Sequence, residues 1–92
     1  MNISFNEITI IIVLYEEKEQ LVLRCLESLK NFKIIIVDNA NNSSLKKKVE
    51  RNYKIHKYIL NKKNYGYSRA ANQAIKLSDT EFILMFQADG II

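Results

Sequence analysis

Lys33-Ile34-Ile35-Ile36-Val37-Asp38-Asn39 sets four consecutive β-branched apolar residues directly against an acid and an amide. An apolar run this short and this β-rich, with no polar residue on either alternation, reads as a strand buried on both faces. Such strands belong to parallel sheets flanked by helices. Two other runs have the same shape: Ile8–Leu14 leads into Tyr15-Glu16, and Phe82–Phe86 into Gln87-Ala88-Asp89. If the three strands are parallel, their carboxyl ends share one edge, which is where open α/β sheets bind ligands. Tyr15, Asp38, Asn39 and Asp89 would then converge on one crevice.

Helical periodicity fills the intervals. After Glu16-Glu17, the residues Val22, Cys25, Leu26 and Leu29 recur at three- and four-residue steps, with acids early (Glu16, Glu17, Glu19) and Lys30 late, as the helix dipole favours. Asn39–Ser43 reads as a polar loop. Ser44 is the expected N-cap of a short helix whose Leu45, Val49 and Tyr53 form a stripe at four-residue steps. His56–Leu60 reads as a weaker strand, placed at a sheet edge because it is the least apolar of the four. Gly66 lies in the loop Asn61–Tyr67. Ser68 is the expected cap of a third helix, whose Ala70, Ala71, Ala74 and Ile75 make a small-residue face suited to close packing on a sheet. The resulting pattern, β-α-β-α-β-α-β, implies a Rossmann-like α/β fold: a parallel sheet of about four strands with helices on both faces.

Composition narrows the function classes. Ninety-two residues with 48% hydrophobic content make one small globular domain, residues 1–92, with no proline and no internal linker. The longest apolar stretch falls far short of the ~20 residues of a membrane span. The N-terminus has no basic start followed by a long apolar segment, so no signal peptide is read. The single cysteine, Cys25, is expected in the core, and a cytoplasmic setting follows by default. The net charge of +4 conceals an uneven distribution. Ser44–Lys76 holds ten Lys or Arg against one acid, giving +9, while the remainder has four basic and nine acidic residues, giving −5. So basic a block suits either a solvated lysine-rich face or a surface that meets phosphates, nucleic acid or an anionic membrane.

Several residues have both a structural and a functional reading. Asp38 is either a turn cap or, with Asn39, a hydrogen-bonding pair for a nucleobase edge or ribose hydroxyl. Asp89 after the last strand suggests an oxygen ligand for Mg²⁺ or Mn²⁺. In Asn64-Tyr65-Gly66-Tyr67-Ser68-Arg69-Ala70-Ala71-Asn72, a glycine loop enters a helix N-terminus and Arg69 adds a fixed charge, a combination able to hold an anion. The same glycine also serves a tight turn. His56 has no acid or cysteine at useful spacing and is expected on a strand surface.

The apolar strand ending in Tyr15-Glu16, the run Ile34–Asn39, the block Asn64–Ile75 and Phe82–Asp89 occur in the order and spacing of family 2 glycosyltransferases. The chain resembles the N-terminal, nucleotide-sugar-binding part of such an enzyme, closest to the rhamnosyltransferase-like branch with its V-D-N and N-x-G-[FY] motifs. That resemblance implies a partial GT-A fold and a nucleotide diphosphate sugar as donor. It implies that Tyr15, Asp38 and Asn39 flank the nucleobase and ribose. Asn64, Gly66 and Tyr67 would line the nucleotide site, with Asn72 supporting it from the helix. Asp89 matches the last acid of the D-x-D metal motif, whose first position here is the neutral Gln87. In such an enzyme the metal, Mg²⁺ or Mn²⁺, neutralises charge on the departing diphosphate. The acceptor, a glycan or lipid-linked molecule, and the catalytic base belong to a half beyond Asp89, so no catalytic residue is assigned within the chain.

Three rivals stand beside this reading: a nucleotide-binding fragment without turnover, a small basic nucleic-acid-binding α/β module, and a flavodoxin- or receiver-like protein, which shares the fold but would need a cluster of acids or a phosphate loop after strand one that this chain lacks. The second would use Lys46–Lys48, Arg51, Lys54, Lys62 and Lys63 with Tyr53, Tyr58 and Tyr65. The expectation against nucleic acid rests on eleven of the fourteen basic residues being Lys. Peripheral association with the inner face of a membrane, and a second copy covering an exposed sheet edge, complete the set of expected partners.

Overall fold

The computed structural model describes residues 4–88. After a single 3₁₀ turn, Phe5–Glu7, the elements run β1 (Ile8–Leu14), α1 (Glu19–Leu29), β2 (Lys33–Asp38), α2 (Ser43–Asn52), β3 (Lys57–Leu60), α3 (Tyr67–Leu77) and β4 (Phe82–Phe86). The four strands form one parallel sheet in the order β3-β2-β1-β4. In register, Ile10 to Val13 of β1 lie beside Ile34 to Val37 of β2, so the two most apolar runs form the centre of the sheet.

Side-chain alternation divides the core into two layers. Ile10, Ile12, Leu14, Ile34 and Ile36 face α1 and α2, meeting Val22, Cys25, Leu26 and Leu29 from the first and Leu45 and Val49 from the second. Ile11, Ile35 and Val37 point the other way, onto Ala70 and Ala74 of α3. Alanines on that helix face bring its backbone close to the sheet. Burying each isoleucine contributes about 1.5–3 kcal/mol, and β1 and β2 supply six that are essentially inaccessible. Cys25 sits in the larger layer, where burial pushes its thiol pKa up, as befits a core residue. No helix among the described residues is long and apolar enough to cross a membrane.

The structure moves several boundaries. α2 is capped by Asn42, not Ser44: Asn42 Oδ1 accepts the Leu45 amide at 3.0 Å, and the Ser44 hydroxyl donates to the same oxygen at 2.9 Å. The chain reaches that cap through Asn41, whose φ of 53° lies in the left-handed region that asparagine tolerates. Gly66, not Ser68, caps α3, and no side chain bonds the helix's first amides. β3 starts at Lys57, with His56 exposed just before it.

β3 lies at one edge, as its composition implies, but β4 departs from the expected burial on both faces. Leu84 is 50% exposed and Met85 40%. Among the described residues its sheet neighbour is β1, and α3 packs over β1 and β2 instead, so that Phe86 reaches the α1-side core while Ile83, Leu84 and Met85 stay exposed. Nothing in the structure identifies a second copy, or any other group, over this edge.

Candidate functional site

The carboxyl ends of β1 and β2 open into a cavity of about 340 Å³. Tyr15, Glu16 and Glu17 from the loop after β1 form one side, Asp38, Ala40 and Asn42 the other, with Leu14, Val22 and Leu45 lining it too. Parallel strands bring Tyr15 and Asp38 together because Leu14 and Asp38 are register partners at the ends of their strands.

Asp38 is 1% exposed and holds three donors. Its Oδ1 accepts the Ala40 amide at 2.8 Å, and its Oδ2 accepts the Asn42 amide at 3.3 Å and the Tyr58 hydroxyl at 2.9 Å. The turn-cap reading of this residue is therefore correct, and the same residue also lines the cavity. Tyr58 comes from β3, and its hydroxyl pKa is driven far above the ordinary value, first by burial, then by the bond to Asp38 and that residue's charge. On the opposite wall Tyr15 is 47% exposed. Its amide donates to the Glu17 carboxylate, while a hydrogen bond between its hydroxyl and Glu16 is the main cause raising its pKa.

Asn39 faces the other way, because consecutive residues at a strand end point to opposite sides. Its backbone amide extends the sheet by donating to Leu14 O at 2.8 Å. Its side chain is buried and fastens the glycine loop: Nδ2 donates to Gly66 O at 3.3 Å, and Oδ1 accepts from Asn61 Nδ2 at 2.8 Å and from the Tyr65 amide at 3.4 Å. Asn61 in turn exchanges hydrogen bonds with Gln73 of α3 at 2.8 and 3.0 Å. Asn64 Oδ1 accepts the Gly66 amide at 2.8 Å, closing a local turn. Gly66 itself has φ 85° and ψ 165°, a backbone state essentially restricted to glycine.

The residues expected in one crevice thus divide into two groups. Tyr15 and Asp38 share the cavity on the α1/α2 side, while Asn39, Asn64 and Gly66 gather at the start of α3. Tyr67 is 47% exposed and Asn72 is exposed on α3 without a bond to either group. Arg69 lies 4.9 Å from the Tyr65 ring centroid and Lys63 Nζ 5.6 Å from the same ring, so two cations share one aromatic.

Asn61 and Gln73 are the residues that motif reading passed over, and Tyr58 enters that reading only as a stacking aromatic of the nucleic-acid rival. A signal for Asn61 existed: it follows β3 as Asn39 follows β2, an amide directly after an apolar strand. Tyr58 carried a weaker one, as a polar-tipped aromatic inside a short strand. Placing Tyr58 in the interior also removes it from a nucleic-acid surface. Tyr53 is half-buried, with its hydroxyl bonded to Leu23 O and the Glu27 carboxylate. Lys46 and Lys48 are paired with Glu50 and Glu19. Of the three stacking aromatics that rival needs, Tyr53 and Tyr65 are half-buried and Tyr58 is in the interior.

The described residues do not assemble a divalent-cation site. They contain no cluster of three His, Cys, Asp or Glu side chains. Asp38 spends its carboxylate on the turn and on Tyr58, and Gln87 stands exposed after β4. Asp89, the expected metal ligand, lies outside the described residues.

A parallel α/β sheet with a crevice at its carboxyl ends is the architecture with which open α/β proteins bind ligands. The sequence model of glycosyl transferase family 2 matches residues 9–92, nearly the whole chain, and the chain belongs to that family. Its general chemistry is therefore glycosyl transfer. No match is found among curated proteins or among solved structures.

Proposed function

We propose that this chain is the donor-binding part of an inverting family 2 glycosyltransferase, with a nucleotide diphosphate sugar as its ligand. The observation that carries the reading is the cavity at the carboxyl ends of β1 and β2, with Tyr15 on one wall and Asp38 on the other. Its volume, about 340 Å³, sits at the low end of the ~300–1,000 Å³ usual for ligand pockets. That leaves room for the nucleoside end of a donor rather than for the whole molecule. A carboxylate oxygen has two acceptor sites, and Asp38 Oδ1 uses one on Ala40. The other is free to accept an N–H from a nucleobase, and the exposed Tyr15 ring offers a stacking surface.

Asn39 contributes differently from Asp38. It holds Gly66 in place, so its part in donor binding is to position the loop of Asn64, Gly66 and Tyr67. Arg69 stands beside that loop with a charge suited to phosphate. Asn72 is the weakest member of the proposed set, exposed and unconnected. Gln87 and Asp89 are the proposed ligands of Mg²⁺ or Mn²⁺. When bound there, that ion would supply charge neutralisation to a departing diphosphate. In the whole enzyme, a base outside the described residues would deprotonate the hydroxyl of a glycan or lipid-linked acceptor for attack on the anomeric carbon. The V-D-N and N-x-G-Y motifs favour the rhamnosyltransferase-like branch.

The test is titration of the isotope-labelled chain with uridine or deoxythymidine diphosphate, following backbone amides. Saturable shifts at Asp38, Asn39, Ala40 and Gly66 are expected, with an affinity of about millimolar to high micromolar, because a full pocket buries most of its ligand and this one is open. Shifts confined to Lys46–Lys63 and lost steeply with salt would replace this reading with the nucleic-acid one.

A further inference from the structure

A second cavity, about 430 Å³, lies at the opposite end of the sheet, where the chain leaves α1 to enter β2 and leaves α2 to enter β3. It is lined by Lys30, Lys33, Lys54 and His56, with Asn31 between them in the wall and Phe32 and Ile55 as its apolar part. Two of the cations are already matched. Lys30 holds Glu27 at 3.0 Å, and Lys33 holds Asp79 at 2.6 Å. Among the described residues, Lys54 and His56 have no carboxylate in reach of hydrogen bonding, and both are exposed. The carbonyl ends of α1 disfavour an anion here. One of them, Leu29 O, is occupied by the Phe32 amide at 3.0 Å, and Lys30 and Lys33 flank the rest.

The backbone gives the site a fixed frame. The His56 amide donates to Ile34 O at 2.9 Å, which holds the start of β3 beside the start of β2. Phe32 is further braced by an edge-to-face contact with Phe5 at 4.8 Å between centroids. A concave wall with surplus positive charge, an amide and an apolar floor matches one chemical class. We propose that this cavity binds a phosphate group, Lys54 supplying the charge, with His56 and Asn31 as ring and amide N–H donors. Phe32 and Ile55 would receive whatever apolar body the phosphate carries. The site is separate from the donor cavity, at the other end of the strands, so it stands or falls independently of the proposed function.

The labelled full chain, titrated separately with inorganic phosphate and with phosphatidylcholine vesicles containing phosphatidic acid, tests this. Saturable amide shifts clustered at Asn31, Phe32, Lys54, Ile55 and His56 are expected. A response to inorganic phosphate assigns a soluble phosphate, and a response to the vesicles alone assigns a lipid headgroup. Charge-assisted hydrogen bonds are strong enough that Lys54→Ala with His56→Ala should weaken binding at least about tenfold. Both side chains are exposed, and retained amide dispersion checks the fold. Lys54→Gln with His56→Gln repeats the measurement with polar, uncharged side chains in their place and should weaken binding likewise. Lys47→Ala, on α2 outside the cavity, should leave binding unchanged. The proposal is overturned by no response in either titration, by a response indifferent to the double variants, or by equal loss with Lys47→Ala.

Discussion

Tyr58, beside Ile36 on the neighbouring strand, donates its hydroxyl to Asp38 Oδ2 at 2.9 Å, a bond between two side chains each almost inaccessible to solvent. It ties the edge strand to the wall of the candidate donor site. Removing the donor leaves a buried carboxylate with only its two backbone partners, so Tyr58→Phe should cost about 1–3 kcal/mol. A lower urea midpoint at unchanged m-value would register it.

The same pair predicts an alkaline weakness. The folded tyrosine has a raised pKa, against about 10 in the unfolded chain. Its stabilisation is therefore complete below about pH 10 and lost as the pH climbs towards the folded value. The stability difference between the native chain and Tyr58→Phe should be constant near neutrality and shrink above about pH 10. Urea titrations at stepped alkaline pH check this, and a difference that grows there would refute it.

At Gly66 the prediction rests on backbone alone. A Cβ placed there meets no atom within 4 Å, yet φ is 85° and ψ 165°. Gly66→Ala should therefore destabilise by about 1–3 kcal/mol through conformational strain without a clash. Gly66→Asn should bring no relief, because asparagine tolerates the left-handed helical region and not this one. Denaturation of both variants measures it.

Asn61 predicts coupling. Its side chain bonds both Asn39 and Gln73. Asn61→Ala and Gln73→Ala should be non-additive by about 0.5–3 kcal/mol in a double-mutant cycle. Hydrogen exchange at Tyr65 and Gly66 should accelerate in Asn61→Ala, since the loop loses the partner that orients Asn39. Strict additivity with unchanged exchange would mean the amide chain carries no load.

How much of this was legible beforehand differs by level. The parallel sheet, the edge place of β3 and the helix faces followed from apolar runs and three-to-four spacing, because burial dominates where Ile34–Val37 and Val22–Leu29 lie, whereas the order β3-β2-β1-β4 had no signal in the pattern. Both misplaced caps lie in loops. There a single carboxylate, Asp38, re-aims the chain through Ala40 and Asn42, and glycine's freedom at Gly66 starts a helix one residue before Ser68. The site was legible as a neighbourhood and not as roles. Asp38 and Asn39 share one edge as expected, but the pleat sends them to opposite faces, and each is already bonded within the fold. The exposure of β4 was hidden because an apolar pattern does not reveal whether a strand ends up with one neighbour or two.

The final prediction concerns turnover: the 92-residue chain should transfer no sugar on its own. Transfer requires a held leaving group, a positioned acceptor hydroxyl and a base beside it. At the carboxyl edge, Asp38 is engaged by three donors, Glu17 by the Tyr15 amide and Glu19 by Lys48, while Glu16 stands exposed beside Tyr15. Glu27 is bonded to Lys30 and Tyr53, and Glu50 to Lys46. Asp79 precedes β4 at the far end of the sheet, paired with Lys33. Positioning can supply ~7–11 kcal/mol of a barrier, and no described group is set to hold an acceptor against the cavity. Product formation from a nucleotide diphosphate sugar should therefore stay at background, with or without Mg²⁺ or Mn²⁺. Transfer that the purified chain performs and that Asp89→Ala abolishes would show that the chain carries a complete site.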